Sequence, residues 1–163
     1  MSNYLIETPA DVLQVIEEFE KQTFIKPQGQ DLIALLETII DSTRKIVLAN
    51  KKQIDWPTWF LRTGFVVYSI LVNYKFNKLD FAKFLIGKHK LYGANALLVW
   101  KELGILIRLN SKVARLKHIT SSTPETINLN DESVEDTLKD SLGYCILGYT
   151  LCQKSFTQLK EKS

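Results

Sequence analysis

Two stretches of the sequence place side chains of opposite charge at helical spacing, a combination that could hold a phosphate group and a metal ion. The cations that share one narrow helical stripe are Arg108, Lys112 and Arg115. The acids further along the chain are Glu132, Glu135, Asp136 and Asp140. Arginine contacts phosphate bidentately, lysine acts as a point charge, and Mg²⁺ prefers carboxylate oxygens. The pattern is therefore compatible with a site in which the cations bind phosphate and the acids hold Mg²⁺.

The same pattern also has a purely structural interpretation. A charged stripe opposite an apolar stripe is usual on a surface helix, and the basic stripe does lie opposite Leu109, Val113 and Leu116. The acids would then be solvated or would form salt bridges to the neighbouring basic helix. Spacing alone favours this interpretation over a metal site.

The acidic stripe continues into a segment that must be buried. Its angular sector passes through Gly143 and Leu147 in GYCILGYTLC, which is apolar on every side. This segment requires cover from neighbouring helices or a second subunit. Like charges four residues apart repel by a few tenths of a kcal/mol per pair, so the acids need a compensating cation. Either Mg²⁺ or the basic stripe can supply it.

A turn in the middle of the chain contributes a further candidate. In KLYGAN, Tyr92 could stack on a base while Gly93 lets the backbone approach a ligand, or Tyr92 could cover the core at a turn. The sequence leaves both interpretations open. The preceding Lys88, His89 and Lys90 are interpreted as a solvated helix end.

The composition is that of one helical domain in a reducing compartment. Of 163 residues, 45% are hydrophobic, 7 are Gly and 4 are Pro, and the net charge of +3 is too small to predict a nucleic-acid partner. Cys145 and Cys152 would lie about 10 Å apart on one helix, too far to bond each other. The most apolar run, Phe65–Tyr74, is much shorter than the ~20 residues of a membrane span. We therefore expect a cytoplasmic protein with no membrane partner.

Apolar periodicity predicts an all-α single domain, a bundle of about six to seven helices. The first helix is expected to begin with Thr8 as N-cap, Pro9 in the first turn and Asp11 completing a capping box. Later helices are expected to begin near Asp31, Asp55, Lys78, Ala96, Gly104 and Glu132. A polar stretch from Thr120 to Asp131 lacks periodicity and predicts a loop before the last helix.

Three segments of the C-terminal half resemble a known family. YGAN, GILIRLNSKVARL and DESVEDTLKDSLGYCILG resemble the nucleotide modification associated domain family of the first type, which is similar to the MazG-like all-α nucleoside triphosphate pyrophosphatases. The resemblance covers about Phe81–Cys152. Within one domain, 1–163, it distinguishes an unmatched N-terminal part, 1–77, from a nucleotide modification associated-like part, 78–160.

The resemblance implies a helical bundle, usually a dimer or larger, that binds Mg²⁺ on acids of two helices and cleaves nucleotides between the α- and β-phosphates. Asp136 and Asp140 match acids of the second metal-binding helix, and Tyr144 matches the aromatic residue that follows. The resemblance thus implies that Asp136 and Asp140 hold Mg²⁺ for hydrolysis by a bound water, with Glu132 and Glu135 as additional ligands. The sequence departs from the pattern where the first metal-binding helix carries Glu-x-x-Glu, because Lys112 and Arg115 occupy those places. Glu17 and Glu20 have the missing spacing.

These observations predict a homo-oligomeric nucleotide-binding protein that acts as a Mg²⁺-dependent, pyrophosphatase-like hydrolase. The alternative is a non-catalytic interaction or regulatory protein in which the two charged helices are joined by salt bridges.

Overall fold

A computed structural model describes the backbone of residues 4–22, 31–49, 54–120 and 124–162. Side chains are described in these ranges except at 95, 96, 120, 124–133 and 155–162.

The described backbone is all-α, as the sequence predicts, and contains six α-helices. They are α1 (Pro9–Glu20), α2 (Leu32–Ala49), α3 (Trp56–Leu71), α4 (Lys78–Tyr92), α5 (Asn95–Thr120) and α6 (Pro124–Lys162), with a short 3₁₀ turn at Val72–Tyr74. One buried apolar cluster includes residues from every helix. Within the described residues, no helix is both long enough and apolar enough to cross a membrane.

The first helix begins as its sequence predicts. The Thr8 side chain accepts a hydrogen bond from the Asp11 backbone N–H, and the Asp11 carboxylate accepts from the Thr8 N–H, which completes the capping box around Pro9. These bonds satisfy N–H groups that have no partner inside the helix. Val12, Ile16 and the rest of its apolar face then pack into the core.

Helix α3 packs against α1, α2 and α6, and most of its residues from Trp59 onward are buried. Asp55 caps it by accepting hydrogen bonds from the backbone N–H and the hydroxyl of Thr58. At Gly64 the helix meets the Phe19 ring of α1 so closely that a Cβ atom would overlap it. The absence of a side chain at Gly64 therefore allows α1 to approach α3 this closely.

The C-terminal half of α6 packs closely on α3 in the same way. The Phe60 ring lies against Gly148, where a Cβ atom would overlap it. Cys145 and Cys152 are both free and buried on this helix, as their spacing predicts. Burial raises the pKa of both thiols, that of Cys152 to about 12, so neither is a reactive thiolate at neutral pH.

Two predicted boundaries are wrong. The break that was expected at Gly104, before the basic helix, lies three residues earlier at Lys101, which has φ 49° inside α5. Gly104 itself lies within the helical part that follows Lys101, and the Cβ of Trp100 lies so close to it that a side chain at position 104 would have no room.

The other wrong boundary is the start of the last helix. Residues 124–131, predicted as loop, form the first turns of α6, which extends to Lys162. Pro124 suits a first helical turn, and helix formation propagates outward from a packed segment without needing an apolar stripe of its own. The rest of the predicted loop, 121–123, lies outside the described residues.

Candidate functional site

The basic stripe of α5 and the acidic stripe of α6 meet at Asp140. Lys112 of α5 donates to one carboxylate oxygen at 2.9 Å, and Lys88 of α4 donates to the other at 2.8 Å. The three side chains are partly buried, with exposed fractions of 26%, 40% and 24% for Lys112, Lys88 and Asp140. This ion triad joins three helices, and the pair between Lys112 and Asp140 is a salt bridge between the basic and acidic helices of the kind that the structural interpretation expects.

Burial and pairing act on the triad in opposite directions. Burial by itself would raise the pKa of the Asp140 carboxyl, but the hydrogen bonds and charges of Lys88 and Lys112 outweigh it and lower that pKa. The hydrogen bond to Asp140 correspondingly raises the pKa of Lys88. Both shifts favour the charged forms of Asp140 and Lys88, and two lysines beside one carboxylate give the triad a formal net positive charge.

A cavity of about 380 Å³ lies beside the triad, between α4, α5 and α6. Its volume is within the ~300–1,000 Å³ of small-ligand sites. The charged groups of its lining are Lys88, Arg108, Lys139 and Asp140. Its aromatic residues are Phe81, Phe84, His89, Tyr92 and Tyr144. We refer to this cavity as the cleft.

The burial of the acidic stripe changes along α6 as its sequence pattern predicts. Asp136 is exposed, Asp140 is partly buried in the triad, and Gly143 and Leu147 are buried in the wall of the cleft. The polar and apolar parts of one helical face thus line the same cavity.

Arg108 extends over the ring of Tyr144, one of the aromatic residues of the cleft. Its guanidinium lies 5.8 Å from the centre of the Tyr144 ring, and one of its nitrogens donates to the Tyr144 hydroxyl at 3.5 Å. Across the cleft, the Lys88 ammonium lies 5.7 Å from the centre of the Phe84 ring. Rings that already stack with cations offer flat surfaces beside positive charge.

The sequence analysis missed the role of His89, which was expected at a solvated helix end. His89 is buried, and its Nε2 accepts a hydrogen bond from the Leu5 backbone N–H at 3.0 Å. Lys154 holds the same segment by donating to the Tyr4 carbonyl at 2.7 Å. His89 therefore links the N-terminal segment to the wall of the cleft. An isolated histidine among basic residues gave no sign of this partner.

The remaining predicted residues are dispersed. Tyr92 lines the cleft and is 73% exposed, which suits a contact with a ligand better than cover of the core. Arg115 is exposed and is not part of the cleft lining. Glu135 pairs with Lys139 at 3.2 Å, and the side chain of Glu132 lies outside the described residues.

The described acids do not form a preformed magnesium site. Each oxygen of Asp140 accepts a hydrogen bond from a lysine, so a metal ion would have to displace one of these ammonium groups. No group of three His, Cys, Asp or Glu side chains with metal-binding geometry occurs among the described residues. Glu17 and Glu20, which have the missing glutamate spacing, pair with Lys21 and Lys78 outside the cleft.

Comparison with known proteins adds no assignment, since no family model matches the sequence and no match was found among curated proteins or solved structures.

Proposed function

We propose that the cleft binds a nucleotide or nucleoside phosphate, with the phosphate at its cationic side and the base against its aromatic residues. The observation that carries this proposal is the neutralisation of Asp140, the carboxylate of the lining, by Lys88 and Lys112. Because that carboxylate is paired twice, it does not repel an incoming anion.

The charge of the cleft favours an anionic ligand. Lys88, Arg108 and Lys139 border the cavity, while Asp140 is the acid of its lining. Arg108 is exposed, so its guanidinium can turn from Tyr144 toward a phosphate and form paired hydrogen bonds. Low-dielectric walls around these cations strengthen their attraction for phosphate.

The apolar part of the lining favours a flat organic group attached to the phosphate. Tyr92 and Phe84 are 73% and 56% exposed, and both border the cavity. Stacking of a base on an aromatic side chain contributes about 1–3 kcal/mol and tolerates different bases. A free inorganic phosphate would leave this surface unused.

Hydrolysis with Mg²⁺ remains a prediction from the family resemblance. It requires Asp136 and Asp140 to bind the ion together, and thus requires Lys88 or Lys112 to release Asp140. A nucleotide phosphate that attracts a lysine away could drive that exchange. Binding without hydrolysis needs no such rearrangement and is the version that we favour.

Isothermal titration calorimetry tests the binding, with ATP, GTP, the corresponding monophosphates, adenosine and inorganic phosphate, in EDTA and in Mg²⁺. We expect nucleotides to bind in EDTA and to bind more tightly than either adenosine or phosphate. Replacement Arg108→Ala should weaken binding about 10- to 100-fold, because a hydrogen bond to a charged group contributes about 1.5–3 kcal/mol.

Arg115→Ala is the matched control, since it removes the same charge from the same helix outside the cleft. Equal loss of affinity in both variants would indicate a general charge effect and contradict the proposed site. An absence of heat and of thermal stabilisation with every nucleotide would overturn the proposal itself. Release of pyrophosphate or phosphate only in Mg²⁺, and its loss in Asp136→Asn, would instead support the hydrolytic version.

A further inference from the structure

The N-terminal segment, residues 4–7, is held to the helices by hydrogen bonds at two points. The Leu5 backbone N–H donates to Nε2 of His89 on α4 at 3.0 Å, and the Tyr4 carbonyl accepts from the Lys154 ammonium of α6 at 2.7 Å. The Tyr4 ring also packs edge-on against the imidazole, with ring centres 5.7 Å apart. One imidazole and one ammonium group therefore fix the position of this segment.

His89 belongs both to this contact and to the cleft. The residue lines the cleft although only 4% of it is exposed. Leu5 and Glu7 of the segment border a different cavity, which Lys154 also lines. The imidazole thus lies between the segment and the cleft, and a ligand in the cleft can act on the segment through it.

The hydrogen bond from Leu5 requires one protonation state of His89. A lone pair on Nε2 exists only in the neutral imidazole, whose proton is then on Nδ1. A proton on Nε2 would face the Leu5 N–H, and neither donor could bond to the other. Because Leu5 is buried, an N–H without an acceptor is unfavourable there. The segment must therefore move away from a protonated His89.

Nearby charges determine when His89 takes up that proton. Burial and then the charge of Lys154 lower the pKa of the imidazole and oppose protonation. A phosphate in the cleft adds negative charge beside the imidazole and favours the protonated form. The other titratable groups around the two contacts are Tyr4 and Glu7 in the segment, Asp11 on α1, and Lys88, Arg108, Lys139 and Asp140 in the cleft.

We propose that His89 couples the cleft to the N-terminal segment: an anion bound in the cleft favours protonation of His89, and the protonated imidazole releases Leu5 and the segment with it. This regulation rests on the proposed binding of a nucleotide phosphate in the cleft. Coupling between two sites is reciprocal, so a change that loosens the segment strengthens the binding of the anion.

Amide hydrogen exchange at Leu5 measures the release directly, by NMR on the full chain in EDTA with and without ATP. At pH ~6, just below the ordinary pKa of histidine, ATP should lower the protection factor of the Leu5 amide at least about fivefold. At pH ~7.5 it should leave the protection unchanged, because His89 stays neutral. In His89→Gln the side-chain amide can accept from Leu5 but does not titrate, so ATP should have no effect at either pH.

Lys154→Met tests the reciprocal effect, because it removes the ammonium that holds Tyr4 and opposes protonation of His89. At pH ~6 this variant should bind ATP at least about threefold more tightly than the parent, although it has lost a positive charge. The gain should vanish at pH ~7.5. Lys83→Met is the matched control, since it removes the same charge from an exposed position of α4 outside both cavities and should bind ATP no more tightly than the parent.

Isothermal titration calorimetry in the same buffers separates this coupling from the binding on which it rests. Absence of heat with ATP would overturn the nucleotide site and the coupling together. Heat of binding with unchanged protection of Leu5 at pH ~6 would overturn the coupling alone. So would an equal loss of protection in His89→Gln, or binding by Lys154→Met that is no tighter than that of the parent. Because Lys154 is exposed, its variant remains a test if His89→Gln does not fold.

Discussion

The two sides of α6 illustrate how one helix can form both a close-packed interface and a ligand-sized cavity. Toward α3, Gly148 allows the Phe60 ring to lie directly against the helix backbone. Toward α4 and α5, Asp140 draws in two lysines, and a cavity of about 380 Å³ remains beside them. The absence of a side chain at Gly148 lets α6 pack closely against α3. The charged side chains around Asp140 prevent equally close packing against α4 and α5.

This difference has a simple physical origin. Apolar surfaces approach until their atoms touch, because every water molecule released is favourable and no group loses a hydrogen bond. Ammonium and carboxylate groups resist complete burial because desolvation costs several kcal/mol per ion. The ion triad therefore joins the helices at the length of two lysine side chains, which leaves an accessible cavity beside it.

The largest expected effect is on the close-packed side. Gly148→Ala should lower the free energy of unfolding by about 1–3 kcal/mol, because the added methyl overlaps the Phe60 ring and overpacks the interface. Urea denaturation followed by circular dichroism measures the change. The control is Gly87→Ala, because a Cβ at this position of α4 meets open space. The higher helix propensity of alanine should raise the free energy of unfolding of this variant by about 0.5–1 kcal/mol. Equal effects in both variants would show that the contact between α3 and α6 is not close-packed.

A smaller effect distinguishes hydroxyl groups inside the close-packed region. The Thr63 hydroxyl of α3 is buried without a hydrogen-bond partner among the described residues, so Thr63→Val should stabilise the fold by about 1 kcal/mol. Thr43→Val should destabilise it by about 1–2 kcal/mol, because the Thr43 hydroxyl accepts from the Trp59 indole at 2.7 Å and donates to the Ile39 carbonyl. Thermal unfolding of both variants measures the two changes in stability. A destabilised Thr63→Val would reveal that water or a polar group reaches this part of the core.

On the cleft side, Asp140→Asn should lower the free energy of unfolding by about 1 kcal/mol at pH 7, since two lysines lose a partner but remain partly hydrated. The folded-state pKa of Asp140 is lowered from 3.8, so its contribution is complete above that pH and disappears as pH falls through the folded-state pKa. Denaturant midpoints for parent and variant should therefore converge at acidic pH. Asp136→Asn, which neutralises an exposed acid one turn away, serves as the control and should have little effect. A difference between the two midpoints that persists unchanged at acidic pH would exclude the ion triad as its cause.

The smallest expected effect concerns the wall of the cleft. Burial, with a lesser contribution from the Lys154 charge, lowers the pKa of His89 from 6.5. Protonation also removes the lone pair that accepts the Leu5 N–H, so stability present above pH 6.5 should decline as pH falls toward the folded-state pKa. Urea midpoints measured across this range should show a decline that His89→Gln lacks, since its amide does not titrate. A decline of the same size in His89→Gln would assign it to other groups.

The sequence by itself predicted the elements whose signals are local. The capping box at Thr8 specifies a helix start through bonds between neighbouring residues, and it occurs in the structure. A helix start was also expected near Asp55, and α3 begins at the next residue, Trp56. The apolar faces of α5 and α6 likewise follow from a periodicity of 3.6 residues. The all-α fold class follows from these local features together.

Features that depend on distant residues were decided only by the tertiary structure. Asp140 was predicted beside the basic stripe, but its second lysine comes from α4, 52 residues earlier in the chain. His89 was expected to be solvated, but in the structure the N-terminal segment, 84 residues away along the chain, covers it. Helix propensity is a property of neighbours along the chain, whereas burial and ion pairing depend on which helices meet. The sequence therefore determined which residues carry charge and, apart from two boundaries, which segments are helical. Packing decided which charges face each other and where the cleft remains.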